Sequence, residues 1–303
     1  MNLMKTAPHV IPYQGSKRKL AENILSYVDF PVDTLYEPFV GSGAITLAAA
    51  ANGKAEHFVV GDKLEPLAEL WKLIISDPEK LSEEYSKLWN EQLEDPATYF
   101  KKARSDFNDT KSPSALLYLI ARCVKNAVRF NNKGEFNQGP DNRRLGMKPE
   151  KVRREANLIS KLLKDKITVI SGDFRTALAG ATSSDLVYMD PPYQGTSGLK
   201  DQRYAYILQL DDLISALEDL NKREVPYILS FDGTCGDKVY GSELPASLGL
   251  KKVELNAGRS TQATLLGRED ITIESLYLSP ALQNKTKTVT HEIESPQLEL
   301  LTA

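Results

Sequence analysis

Short apolar runs that end in an acid recur along this chain, and helical periodicity fills the stretches between them. Phe58-Val59-Val60-Gly61-Asp62, Ile167-Thr168-Val169-Ile170 leading to Asp173, and Leu186-Val187-Tyr188-Met189 leading to Asp190 all have this form. Such runs read as buried parallel strands whose last side chain reaches the C-terminal edge of a sheet. A further strand is predicted over 34–38. Helical runs are predicted over 17–28, 44–51, 66–75, 79–93, 96–107, 113–128, 148–164 and 210–222, with Pro78, Pro96 and Pro113 at helix starts. Later strands fall at 227–231, 250–256 and 271–278, the last two as a hairpin. Residues 130–144 break the helical pattern, with four Asn, two Gly and one Pro in fifteen residues, as a hairpin or structured loop does. Residues 281–303 carry no clear period and are expected to be disordered. The pattern predicts an α/β fold with a helical block, 65–163, spliced between two sets of strands.

Two of the strand ends carry more than an acid. The strand over 34–38 runs into Phe39-Val40-Gly41-Ser42-Gly43 and then the helix over 44–51. Strand, glycine turn and helix open a nucleotide-type fold, because glycine allows a tight turn and close approach of backbone to ligand. Thr46 stands where a dinucleotide fingerprint wants a third glycine, which disfavours a dehydrogenase. Asp62 lies about 20 residues past the turn, the spacing at which an acid reaches a ribose hydroxyl. The other strand end is Asp190-Pro191-Pro192-Tyr193. The prolines have no N–H and fix the backbone, so their carbonyls serve as rigid acceptors. A carboxylate, a bare carbonyl and an aromatic ring together suit a planar, amine-bearing group such as a nucleobase. Any one of these ends alone reads as a turn or a helix-capping Asp; four in order do not.

With 303 residues, 41% of them apolar, the chain has material for one large α/β domain with an insertion or for two domains. No apolar run approaches membrane-spanning length, no signal peptide is evident, and Cys123 and Cys235 offer neither a disulfide framework nor metal spacing. A cytoplasmic protein without metal or membrane association is expected. The net charge of −3 is unevenly spread: residues 122–154 hold ten basic side chains against Glu135, Asp141 and Glu150. A basic block on an otherwise acidic chain points to a confined polyanion-binding face.

The motifs Tyr13-Gln14-Gly15-Ser16-Lys17, Phe39-Val40-Gly41-Ser42-Gly43, Arg129-Phe130-Asn131-Asn132-Lys133-Gly134-Glu135-Phe136-Asn137 and Asp190-Pro191-Pro192-Tyr193 stand in this order. Together they make the chain resemble the Dam-like DNA adenine-N6 methyltransferases (the D12 class, alpha group) over roughly residues 10 to 280. The resemblance implies a Rossmann-like, S-adenosylmethionine-dependent methyltransferase sheet with a helical target-recognition insertion. It assigns 1–64 and 164–280 to catalysis, 65–163 to target recognition and 281–303 to a tail. It implies methyl transfer from S-adenosyl-L-methionine to N6 of an adenine flipped out of double-stranded DNA, in a restriction–modification, phage or orphan setting, with a cognate restriction endonuclease acting separately. Asp190 and the Pro191 carbonyl would accept the amine hydrogens, with Pro192 and Tyr193 completing the catalytic set and Tyr193 stacking on the base.

For the cofactor, the resemblance implies Gly41, Gly43 and Phe39 around the methionine portion, Lys17 on its carboxylate and Tyr13 beside it. Asp62 would take the ribose hydroxyls, Asp173 and Phe174 the adenine, and Asp190 also the cofactor's amino group. DNA contacts are implied for Arg129, Asn131, Lys133, Asn137, Arg143 and Arg144. GATC-specific members have Arg where this chain has Lys133, and Val-Pro where it has Gln138-Gly139, so the resemblance implies adenine as target without implying GATC. N4-cytosine enzymes usually have Ser at the first catalytic position and protein-glutamine enzymes Asn, so Asp190 disfavours both, and an N4-cytosine or RNA amino group stays as the alternative target. The intact motifs disfavour a non-catalytic DNA-binding module.

Overall fold

The computed structural model describes residues 6–192, 208–235, 238–240, 244–259 and 271–293. Its centre is a sheet built from β1 (Thr34–Glu37), β2 (His57–Asp62), β3 (Ile167–Ser171), β4 (Leu186–Met189), β5 (Tyr227–Cys235), β7 (Lys251–Arg259) and β8 (Ile271–Leu278), in the order β3-β2-β1-β4-β5-β8-β7. A short β6 (Lys238–Tyr240) pairs with β5 outside this order. The first five strands run parallel; β8 lies antiparallel between β5 and β7. The chain order reverses between β1 and β4, and open α/β sheets bind ligands outside the strand ends at that point. Because the strands are parallel, Glu37, Asp62, Asp173 and Asp190 all fall on the same edge. At the opposite end Asp185 is structural, accepting hydrogen bonds from Thr34 N at 2.9 Å and from Thr182 N and Oγ1 at 2.8 Å.

The helices are α1 (Ala21–Leu25), α2 (Ala44–Ala51), α3 (Glu65–Ser76), α4 (Pro78–Glu91), α5 (Pro96–Thr110), α6 (Pro113–Arg122), α7 (Pro149–Leu163), α8 (Phe174–Leu178), α9 (Leu210–Lys222) and α10 (Pro280–Ile293). The predicted helix starts have their physical basis at Asp77, Asp95 and Ser112, whose side chains accept from the third residue on while proline fills the first helical position. None of these helices is long and apolar enough to cross a membrane.

Two expectations need correction. The helix predicted over 113–128 stops at Arg122. Lys125 and Asn126 adopt left-handed φ of 60° and 54°, and Val124 N turns to Gly139 O instead of an upstream helical carbonyl. The tail expected to be disordered begins as α10: Ser279 caps it, accepting from Leu282 N at 3.2 Å, and Leu282 is buried.

The block 65–163 does not stand apart from the sheet. One hydrophobic cluster runs from Leu35, Phe58 and Val60 in the sheet through Trp71 of α3 and Ile159 of α7 to Tyr85, Phe100 and Phe107 farther out. Ser160 Oγ donates to Ile75 O at 2.7 Å, tying α7 to α3. Of these two, α3 packs on β2 and β3, α6 and α7 pack on α3, and α4 and α5 lie against those.

Candidate active site

The parallel edge opens into one cleft. Its lining includes Tyr13, Lys17, Phe39, Gly41, Asp62, Asp173, Phe174, Asp190, Pro191 and Pro192, residues drawn from segments far apart in sequence. Tyr193 lies outside the described residues. Gly43 is not part of the lining, although its neighbours Ser42 and Ala44 are. It sits at φ 63°, and a Cβ there would meet the Trp71 ring at 2.5 Å, so this glycine makes room for a core tryptophan. Gly41, at φ 45°, faces the cleft, where a Cβ would touch only the Tyr13 ring at 3.8 Å.

The glycine turn is held from three sides. Gly41 N donates to Asp62 Oδ2 at 3.2 Å and Gly41 O accepts from Trp71 Nε1 at 3.1 Å. Ser42 Oγ donates to Ser16 Oγ at 2.8 Å, bringing in the segment that carries Tyr13 and Lys17. Asp62 also accepts from Leu64 N at 2.9 Å. Burial pushes its carboxyl up to about 6, against the downward pull of these backbone donors. Each carboxylate oxygen has a second lone pair, so Asp62 keeps capacity for a ligand hydroxyl.

The Phe39 and Phe174 rings stack, with centroids 5.2 Å apart and planes 27° from parallel, and form an aromatic wall. Asp173 caps α8 by accepting from Arg175 N at 2.9 Å, and its carboxylate takes Arg175 Nε at 2.8 Å. The Arg175 side chain holds the Asp173 carboxyl below the usual range. Asp173 is therefore both a helix cap and a cleft residue.

Lys17 has a different setting from the one expected. Its side chain is 6% exposed, and Nζ lies 3.1 Å from Asp190 Oδ1 and 3.3 Å from Glu274 Oε2. The ammonium is thus shared by two carboxylates, with Lys17 still part of the cleft lining. Glu37, buried at the end of β1, also lines the cleft and accepts from Thr46 N at 2.9 Å across the glycine turn. Burial pushes its carboxyl up to about 7. Sequence reasoning missed Glu37 and Glu274. Both had a signal: a charge closing or interrupting an apolar strand, the same signal that marked Asp62.

The predicted recognition residues lie elsewhere, on the loop between α6 and α7. Phe130 and Phe136 bridge across it and pack edge to face, centroids 5.7 Å apart. Asn131 spends its amide inside this turn: Oδ1 accepts from Lys133 N at 2.9 Å and Glu135 N at 3.0 Å, and Nδ2 donates to Glu135 Oε2 at 2.7 Å. Lys133 and Asn137 are exposed. Arg143 and Arg144 are exposed but converge on Asp141, at 2.9 Å and 3.2 Å, and Arg144 also donates to Cys123 O at 3.0 Å.

Arg122 is wholly buried. Its guanidinium donates to Gln92 Oε1 at 2.6 Å, to Asp141 O at 2.8 Å and to Arg144 O, clasping the second half of the loop to the helices. Arg153 and Arg154 pair with Glu79 and Glu155. The basic excess counted along the chain is thus partly spent internally. Lys125, Lys133 and Lys148 remain at the surface. The loop meets the cleft at its root, where Val128 joins the lining and Gln14 N donates to Asn126 O at 3.1 Å.

Residues 13–255 match the family model described as D12 class N6 adenine-specific DNA methyltransferase. The type II methyltransferase M.MjaIII of Methanocaldococcus jannaschii is 33% identical over 171 residues, 52% of this chain and 57% of that protein. The retron Ec67 DNA adenine methylase of Escherichia coli is 30% identical over 233 residues, 74% of this chain and 77% of its own. A DNA adenine methylase of Serratia marcescens is 26% identical over 194 residues, 63% and 68% of the two chains. The chain spans little more than half the length of M.MjaIII.

Proposed function

Since this chain belongs to the D12 class of N6 adenine-specific DNA methyltransferases, we propose that it methylates N6 of an adenine in double-stranded DNA, with S-adenosylmethionine as donor. The observation that carries this reading is the convergence of Asp190-Pro191-Pro192, the Gly41 turn and Asp62 on one cleft at the sheet's switch point. The donor set fits the cofactor. Gly41 lets backbone approach, Asp62 has lone pairs for ribose hydroxyls, and the Phe39–Phe174 wall offers apolar surface to an adenine. When bound, S-adenosylmethionine supplies an electrophilic methyl group.

The protein's task is to make a poor nucleophile reactive. The N6 lone pair of adenine is delocalised into the ring. Asp190 and the Pro191 carbonyl, accepting one amine hydrogen each, draw the nitrogen toward a pyramidal shape with its lone pair localised. Extrusion of the base costs a few kcal/mol, offset by pocket hydrogen bonds and stacking. Rate acceleration then comes from positioning and electrostatics. The loop between α6 and α7 reads the DNA, with Lys133 and Asn137 exposed, Arg129 half-buried at its start, and Arg143 and Arg144 at its clasped half. The kinship with type II methyltransferases supports a restriction–modification role, with a nuclease on a separate chain.

The test is mass spectrometry of nucleosides from DNA incubated with the protein and S-adenosylmethionine. N6-methyladenine is expected with the wild type and none with Asp190→Ala, while circular dichroism shows Asp190→Ala folded. N4-methylcytosine in place of N6-methyladenine, or wild-type product with Asp190→Ala, would overturn the proposal.

A further inference from the structure

Glu274 reaches the catalytic edge from an unexpected direction. It sits on β8, the antiparallel strand inserted beside β5, and β5 in turn flanks the strand that delivers Asp190. Lys17 comes from the other end of the chain, in the single turn Lys17–Lys19. The Lys17 ammonium thus stands between two carboxylates from two separate strands, 3.1 Å from Asp190 and 3.3 Å from Glu274. Lys17 is almost fully enclosed, and the two acids are 22% and 18% exposed, so screening by water is limited.

Electrostatics decides what the second acid does. In a one-to-one pair the ammonium would lower the basicity of Asp190 and compete with any amine that approaches it. A carboxylate on the far side of the ammonium takes part of its charge and also fixes its place at the cleft wall. Other titratable groups near this cluster are Glu37 from β1, whose carboxyl is affected by Asp190, and Tyr188 from β4, which acts on Lys17.

We propose that Glu274 is a positioning residue, holding the Lys17 ammonium and sharing its charge so that Asp190 stays basic enough to accept the hydrogens of the target amine. This rests on the reading of Asp190 as amine acceptor.

The test uses the whole chain. Titration of the Asp190 carboxyl is followed by carbon-13 NMR in unliganded wild type, Glu274→Gln and Glu274→Asp, with the resonance assigned from Asp190→Asn. Loss of the Glu274 charge leaves Lys17 undivided on Asp190, so the Asp190 midpoint falls by about one pH unit in Glu274→Gln. With DNA and S-adenosylmethionine, kcat of Glu274→Gln falls about tenfold, and the acid limb of its pH profile moves to lower pH. KM for both substrates stays within about twofold, since only transition-state stabilisation is lost. Glu274→Asp keeps the charge and restores both readouts.

An Asp190 midpoint that does not move in folded Glu274→Gln overturns the proposal, and so does a moved midpoint with unchanged kcat. If Glu274→Gln fails to fold, Glu274→Asp decides: near-wild-type kcat and titration support the proposal, and lost kcat in a folded protein defeats it. A shifted midpoint in a protein whose wild type makes no N6-methyladenine would sink the proposed reaction and still support charge sharing by Glu274.

Discussion

Asp62 shows how a single side chain links burial to ligand binding. Its carboxyl is raised from 3.8 to about 6 because the cost of enclosing the charge exceeds the help from Gly41 N and Leu64 N. A raised carboxyl favours the protonated form in the fold, so this group lowers stability as pH climbs from the unfolded value through 6. Above that window it is ionised, the form that the proposed contact with ribose hydroxyls calls for. S-adenosylmethionine affinity, measured by calorimetry from about pH 5 to pH 8, is therefore expected to rise through about pH 6 and level off. Asp62→Asn should bind more weakly and lose that step. Affinity independent of pH in the wild type would show that Asp62 makes no such contact. The position of Asp62 was legible in sequence, since an acid closing an apolar strand is a local pattern. The Lys17 pairing was not, because its second partner is on β8 and only tertiary structure brings Glu274 to it. The internal role of Asn131 was hidden for a similar reason: an amide in an Asn-rich loop looks like a reader of bases, and the folded turn shows it also closing its own hairpin.

The glycine turn between β1 and α2 divides two jobs that the sequence made look alike. Gly43 at φ 63° backs onto Trp71, where an added methyl collides with the ring; Gly41 at φ 45° has ordinary room and faces the cleft. Gly43→Ala is expected to cost about 2 kcal/mol or more of stability, from overpacking and a left-handed alanine. Gly41→Ala should cost about 1 kcal/mol of stability, from backbone strain alone, and weaken S-adenosylmethionine binding. Thermal melts and calorimetry on the two variants separate the effects. Equal melting temperatures with equal losses of affinity would contradict the division. Element boundaries were readable wherever capping chemistry is local, as at Pro78, Pro96 and Pro113. Readability failed where the end of an element is set by a distant partner, as at Arg122, after which Val124 bonds to Gly139. It also failed at α10, where the start signal Ser279-Pro280 was present but, among the helix's described side chains, Leu282 alone is buried.

At the scale of the molecule, catalytic sheet and helical insertion share a core. Trp71, Ile159 and Tyr85 belong to the same packed cluster as Leu35 and Phe58, and Arg122 clasps the loop between α6 and α7 to the helices through carbonyls. Unfolding is expected as one transition, with tryptophan fluorescence from Trp71 and Trp89 coincident with far-ultraviolet circular dichroism in a denaturant series. Two separated midpoints would show that the insertion melts alone. The ion cluster of Lys17, Asp190 and Glu274 also has a consequence in time. Protein synthesis delivers Lys17 first, the Asp190 tetrapeptide next and β8 last. A nascent chain on the ribosome thus owns the glycine turn and both catalytic acceptors before it owns the strand that balances their lysine. The pair with Glu274 therefore forms only once β8, the last described strand, has been inserted beside β5, so this ion cluster is among the late-closing contacts of the fold.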